Sequence, residues 1–344
     1  DVNYLRKLEA GFSSFVGARH GVAVNSGTSA LHLAIAALGI GPGDEVIIPA
    51  FSMISTALCV IHNGATPVFV DVDPYSWCMD PERLEAAVTD KTRAVIPVHI
   101  YGFPADMDRI LALARDYNLY VIEDAAEAIG TIYRGRMAGS MSDVACFSFF
   151  ANKPLTCGEG GMMVTSDDHL ARKASYLKDV AFGQPRFIHE DLGFNFRMSN
   201  LSAAYAYASF EELDETIKAK VENARQYAEG LSSLAGITLP PMCGPQSRNS
   251  HWMFGILIDE KKFGRSKFET RELLKAVYSI ETRDFFYPLN RQPAIIKQGY
   301  ASCHQSFPVA DRLWNEGLYL PSSAGLTAGN IQLVCDALFK LQNA

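Results

Sequence analysis

The sequence predicts an α/β fold with a mostly parallel central sheet, and three observations carry that expectation. Short apolar runs alternate with helix-patterned segments from residue 4 to residue 178, the pattern of repeated βαβ units. Two of those runs end in chemistry: 119–124 closes on Glu123-Asp124, and 144–150 closes next to Lys153 and a glycine-rich segment. Open α/β sheets present ligand-binding groups at the carboxyl ends of their strands. A long amphipathic stretch, 201–231, then leads into a C-terminal part with strands and helices of its own. The chain is therefore expected to divide into a large unit, 1–212, and a smaller C-terminal α/β unit, 213–344.

The elements follow in order. Residues 4–16 have helical apolar spacing, and 21–25 form a strand. Ser26-Gly27-Thr28-Ser29 then turns into a helix that reaches Leu38. A helix N-terminus after a small-residue turn offers unpaired N–H groups and a positive dipole end to an anion. Gly27, Thr28 and Ser29 are its candidate contacts, with plain N-capping as the alternative. A strand covers 44–49, a helix opens within 51–56 and runs to His62, and a strand covers 67–72. The Asp80-Pro81 start begins a helix to Val88. Strand 92–99, helix 106–117 and strands 119–124 and 144–150 come next, then a helix over 170–178 and a loop over 182–189. After the long 201–231 helix come a loop at Pro240-Pro241, a strand over 251–258, a helix over 268–277, a strand over 318–323 and a helix over 328–341.

Composition bounds the function. The 344 residues are 48% hydrophobic and 20% charged, with a net charge of −7. No basic patch suggests a nucleic-acid partner. Seven scattered cysteines without a CxxC pair, Cys303 among them, read as free thiols in a reducing compartment rather than a disulfide framework or a metal site. No apolar run reaches membrane-spanning length and no secretory signal is visible, so a cytoplasmic location without membrane partners is expected.

Two residues carry the chemistry. A lysine just past a buried strand is placed where its amine can lose its proton and form a Schiff base; a solvated loop lysine is the alternative for Lys153. Asp124, at the end of a buried strand, is either a ligand-facing carboxylate or a helix N-cap.

Five separated segments resemble one family. They are SFFANKPLTCGEGG (148–161), NSGTSALHLAIAALGIGPGDEVIIPAF (25–51), VIEDAAEAIG (121–130), LGFNFRMSN (192–200) and ETRDFFYP (281–288). Together they resemble the DegT/DnrJ/EryC1/StrS family of fold-type I, pyridoxal-phosphate (PLP) dependent aminotransferases, which act on nucleotide-linked keto sugars. The resemblance implies that Lys153 holds PLP covalently and, once freed, moves the proton. It implies that Asp124 keeps the pyridine nitrogen protonated and that Glu127 lies beside the ring's phenolic oxygen. Gly27, Thr28, Ser29, Ser148 and Asn152 are implied around the phosphate. Asn195 is implied to reach a partner subunit's phosphate across a homodimer. Arg197, His189 and Arg283 are implied substrate contacts. Relatives place an aromatic or histidine ring against the cofactor where this chain has Met53, and Phe51 is the other candidate. The donor implied is L-glutamate, and the acceptor a nucleotide-linked 4-keto-6-deoxy sugar. The 281–288 segment resembles members that aminate C4 rather than C3, although Asp284 and Asn290 depart from their pattern. A dehydrating branch carries histidine in place of the lysine, and Lys153 argues against it. The resemblance also implies a further helix and loop ahead of Asp1.

Overall fold

A computed structural model describes residues 3–302 and 304–343. Its larger sheet holds seven strands: β1 (His20–Val24), β2 (Glu45–Pro49), β3 (Thr66–Val70), β4 (Thr92–Val95), β5 (Tyr120–Asp124), β8 (Val144–Ser148) and β9 (Gly161–Thr165). Between them Ile132–Tyr133 (β6) and Arg136–Met137 (β7) form a small hairpin. The strand order is β1-β9-β8-β5-β4-β2-β3, and only the pairings of β9 are antiparallel. Six strands therefore share one direction, as the βαβ pattern requires. Their runs are buried almost throughout, β8 and β9 completely, because helices cover both faces of a parallel sheet.

The second sheet has four strands in the order β10-β11-β13-β12: β10 (Ile237–Thr238), β11 (Phe254–Ile258), β12 (Arg283–Asp284) and β13 (Gly317–Leu320). Its core is built by Tyr227, Phe254, Ile256, Leu318 and the Ala328–Asn343 helix, which supplies Ile331 and Leu338.

Three expectations need correction. The 201–231 segment is two helices, Asn200–Glu211 and Leu213–Leu231, broken at Glu212. The first packs on the Tyr4–Val16 helix and the second on the Ala328–Asn343 helix. Leu213 and Ile217 are buried in the cluster beside the large sheet, while Ala224, Tyr227 and Leu231 belong to the core of the small one. The second helix therefore runs from one core into the other. No strand is expected from the sequence over 161–165, where β9 continues from the glycine-rich segment. The strand expected from residue 251 begins at Phe254, because His251 has φ +49° and breaks the extended run. The helix expected to open within 51–56 does so at Ser55, which leaves Phe51 outside it. Of the seven cysteines, Cys303 lies outside the described residues, and the other six are free.

Candidate active site

The carboxyl ends of β5 and β8, the start of the Gly27–Leu38 helix and loops of the smaller sheet meet at a cavity of about 410 Å³. Gly27, Thr28, Met53, Asp124, Glu127, Ser148, Asn152, Lys153 and Arg283 all line it. The fold therefore gathers residues up to 256 positions apart in sequence around one space.

One end of the cavity suits an anion. Ser26 caps the helix by accepting the Ser29 N–H at 3.0 Å. The N–H groups of Gly27 and Thr28 precede the first intrahelical donors and have no acceptor within the helix. Thr28 Oγ1 lies 2.8 Å from Ser55 Oγ, which also lines the cavity. Gly27 is required by proximity: a Cβ there would sit 2.7 Å from Ser148 Cβ. Ser29 is not among the lining residues; its hydroxyl donates to Asn25 Oδ1 at 2.6 Å and so braces the turn from behind. Gly27→Ala is expected to push Ser148 off the helix start, costing about 1–3 kcal/mol of overpacking. It should weaken PLP binding, as read by titrating the cofactor-free protein with PLP; unchanged affinity would mean the cradle is not used.

Asp124 and Glu127 hold the other end. Asp124 is buried. Its Oδ2 accepts the Thr56 hydroxyl at 2.8 Å and its Oδ1 the Ala126 N–H at 3.2 Å. No helix starts behind it, so the N-cap alternative fails. Burial pushes its pKa up, opposed by the Thr56 and Ala126 hydrogen bonds and by the charge of Lys153. Glu127 accepts the Tyr101 N–H at 2.8 Å. Burial raises its pKa to about 7, against the pull of Lys153 and the Tyr101 N–H. Tyr101 makes that bond with φ at +53°, a backbone strain of about 1–3 kcal/mol for a residue with a side chain. The neighbouring Glu123 is fixed on the opposite face. It is bonded by His99 at 2.9 Å, by the Gly139 and Met141 N–H groups and by the Ser142 hydroxyl. The end of β5 is thus held from both sides.

Lys153 is largely buried, and its Nζ lies 3.2 Å from the Trp252 ring centroid. The indole is steered by its own N–H, which donates to the Asn152 carbonyl at 3.0 Å. Burial lowers the Lys153 pKa to about 8, against the attraction of Glu127 and Asp124. An amine so placed is a usable nucleophile near neutral pH. A donor-lined cradle, a reactive amine and a buried carboxylate around one cavity fit PLP.

A model of the DegT/DnrJ/EryC1/StrS aminotransferase family matches residues 2–339. The chain belongs to this family. Its members are PLP-dependent transaminases, and so is this protein. It is 41% identical to GDP-perosamine synthase from Caulobacter vibrioides, over 97% of this chain and 89% of that protein. It is 40% identical to a UDP-N-acetyl-3-dehydro-alpha-D-glucosamine 3-aminotransferase from Acidithiobacillus ferrooxidans, over 93% of this chain and 83% of that one. Among solved structures, DesV from S. venezuelae in complex with a ketimine intermediate superposes with a TM-score of 0.93 at 36% identity, covering 100% of this chain and 90% of that one.

The remaining sequence-derived candidates of this aminotransferase are not all at the cavity. Met53 is half exposed and lines the cavity, whereas Phe51 is fully buried between Tyr101, Phe285 and Phe286; only Met53 is free to meet a ligand. Asn195, Arg197 and His189 do not line the cavity. Arg197 bonds Asn195 Oδ1 at 3.1 Å and Asp179 at 2.8 Å, and the His189 ring donates to the Val180 carbonyl at 2.8 Å. Sequence reasoning missed Trp252, Tyr101, Thr56 and Tyr319, which sit in no local motif. Among the described residues no cluster of His, Cys, Asp or Glu is placed to hold a metal, and no helix is long and apolar enough to cross a membrane.

Proposed function

We propose that this aminotransferase moves the amino group of L-glutamate to C4 of a nucleotide-linked 4-keto-6-deoxy sugar, as in making a perosamine-type sugar. The convergence of Lys153, Asp124, Gly27 and Thr28 on one cavity carries the amino-transfer reading. Kinship with GDP-perosamine synthase and the Glu281-Thr282-Arg283 segment support C4. The 3-aminotransferase relative, nearly as similar, supports C3 as the second reading.

In this reading Gly27, Thr28, Ser148 and Asn152 hold the cofactor's phosphate, with Ser29 bracing the turn. Asp124 faces the pyridine nitrogen, Glu127 the phenolic oxygen, and Met53 covers the ring. PLP, when bound, supplies the electron sink that makes loss of the donor's α-proton feasible. Lys153 Nζ takes that proton and returns it, and Trp252 and Asn152 keep the amine in place. Arg283, exposed at the cavity mouth, offers a guanidinium to the sugar nucleotide's phosphates.

The protein acts in the cytoplasm as a homodimer, and its chain divides near residue 212. Leu192, Leu201 and Tyr205 are 96%, 83% and 64% exposed on the stretch that carries Asn195 and Arg197. Apolar groups concentrated in this way fit a subunit interface, through which Asn195, Arg197 and His189 reach the neighbouring site.

The test is spectroscopic. The visible band of bound PLP should bleach with L-glutamate and return on adding a GDP-, dTDP- or UDP-linked 4-keto-6-deoxy sugar. A protein that binds PLP but ignores L-glutamate overturns the reading. Recovery only with a 3-keto sugar selects C3.

A further inference from the structure

A second cavity, of about 500 Å³, opens beside the first and shares Asn152, Lys153, Arg283 and Tyr319 with it. Its wall includes Lys220, from the Leu213–Leu231 helix. Lys220 is only 6% exposed. Its Nζ donates to the Trp252 carbonyl at 3.1 Å and to the Ser322 carbonyl at 2.7 Å. Among the described residues no carboxylate lies within ion-pair distance of it, and burial lowers its pKa to about 8.

A buried ammonium without a counter-charge is costly, and an apolar side chain of the same length would pack there at less cost. Two carbonyls use two of its three hydrogens. The third hydrogen and the net charge remain for the cavity. The other charges do not balance it: Glu281, on the same wall, is bonded to Lys275 at 3.0 Å. Lys153 has Glu127 and Asp124 beside it, so the uncompensated positive charge on this wall is that of Lys220 and Arg283. Thr282, also on this wall, has a buried hydroxyl with no hydrogen-bond partner.

We propose that Lys220 and Thr282 form the subsite for the distal carboxylate of a dicarboxylic amino donor whose amino group is delivered at Lys153. The inference rests on the amino-transfer reading above. A transaminase must seat an amino acid and a sugar nucleotide in turn at one lysine. A buried point charge beyond that lysine recognises the donor without obstructing the acceptor. One ammonium hydrogen and one hydroxyl match the two oxygens of a carboxylate. A diphosphate carries more charge and is better met by Arg283 at the open side.

The measurement is the donor half-reaction, followed by bleaching of the PLP band, with L-glutamate and with L-glutamine. Lys220→Gln keeps N–H donors for the Trp252 and Ser322 carbonyls and removes the charge. Wild type should favour glutamate in kcat/KM. Lys220→Gln should reduce that preference at least about tenfold, mainly through the glutamate KM, because truncating one partner of a buried charge pair costs at least that much. Lys220→Arg, which keeps the charge, should restore part of it. An unchanged ratio, or an equal loss with both donors, overturns the proposal. So does a rise confined to the KM of the nucleotide sugar, which would make this a phosphate site. Wild type active but indifferent to the donor's distal charge fails this inference alone. Wild type converted by neither amino acid fails the amino-transfer reading and this inference with it.

Discussion

Lys153→Ala is expected to lower amino transfer by at least about 1,000-fold, since proton transfer by a positioned side chain alone contributes about 100- to 10,000-fold and the covalent anchor is lost with it. The fold should survive, because the Nζ rests over the Trp252 ring rather than closing a buried ion pair. Turnover of L-glutamate with the sugar nucleotide is the measurement. A variant that retains full transfer would remove the lysine from the chemistry and the amino-transfer reading with it. The same residue sets a pH dependence. Its pKa of about 8 is below the ordinary lysine value because of burial. At pH 7 only about a tenth of the cofactor-free protein carries the neutral amine. Capture of PLP should therefore quicken about tenfold per pH unit up to pH 8 and level off above it. The depressed value also means that the unfolded chain binds more protons between pH 8 and 10.5. Lys153 is thus a burden on stability below pH 8 that is relieved as pH rises through that window.

Local sequence carried the parts of the site that are local. The Gly27-Thr28 turn is a strand end followed at once by a helix start. Lys153 follows β8 by five residues, and Asp124 is the last residue of β5. Each is a short-range pattern with a physical meaning. The shell around them is not local. Trp252, which positions Lys153, lies about 100 residues away and reaches it from a loop ahead of β11. Tyr101 reaches Glu127 by its backbone N–H and through a left-handed conformation that its side chain does not advertise. Thr56 is one helical threonine among several until the fold sets it on Asp124. Burial is what distinguishes Phe51 from Met53. The more apolar ring went into the Phe285–Phe286 cluster and the thioether was left at the cavity. The break at Glu212 was hidden because both halves of the 201–231 stretch keep helical periodicity, and only their packing on different cores separates them.

Asp124→Asn separates function from stability at a single atom. The amide is nearly the same shape and can keep both bonds of the carboxylate. Its oxygen accepts the Ala126 N–H. Thr56 can reverse, accepting from the amide and donating to Ser52 Oγ, 2.9 Å away. The negative charge at this end of the cavity is lost. Amino transfer should fall about 100- to 1,000-fold, the scale seen when one preorganised electrostatic partner is removed from a buried site. Stability should move the other way. Burial raises the folded pKa of Asp124 above its unfolded value. The folded state therefore binds more protons, and the carboxylate's penalty grows as pH rises from the unfolded pKa through the folded one, remaining in full above it. The asparagine carries no such penalty, so the cofactor-free variant should melt at or above the wild-type temperature at pH 7 and lose that advantage in acid. A variant with wild-type turnover would mean that the charge does not act on the cofactor. A cofactor-free variant that melts well below wild type would make the carboxylate a structural clamp between β5 and the Ser55–His62 helix. Lower activity with undiminished melting is the combination that assigns Asp124 to the chemistry, because a group kept at a cost to the empty fold is kept for what it does to the ligand.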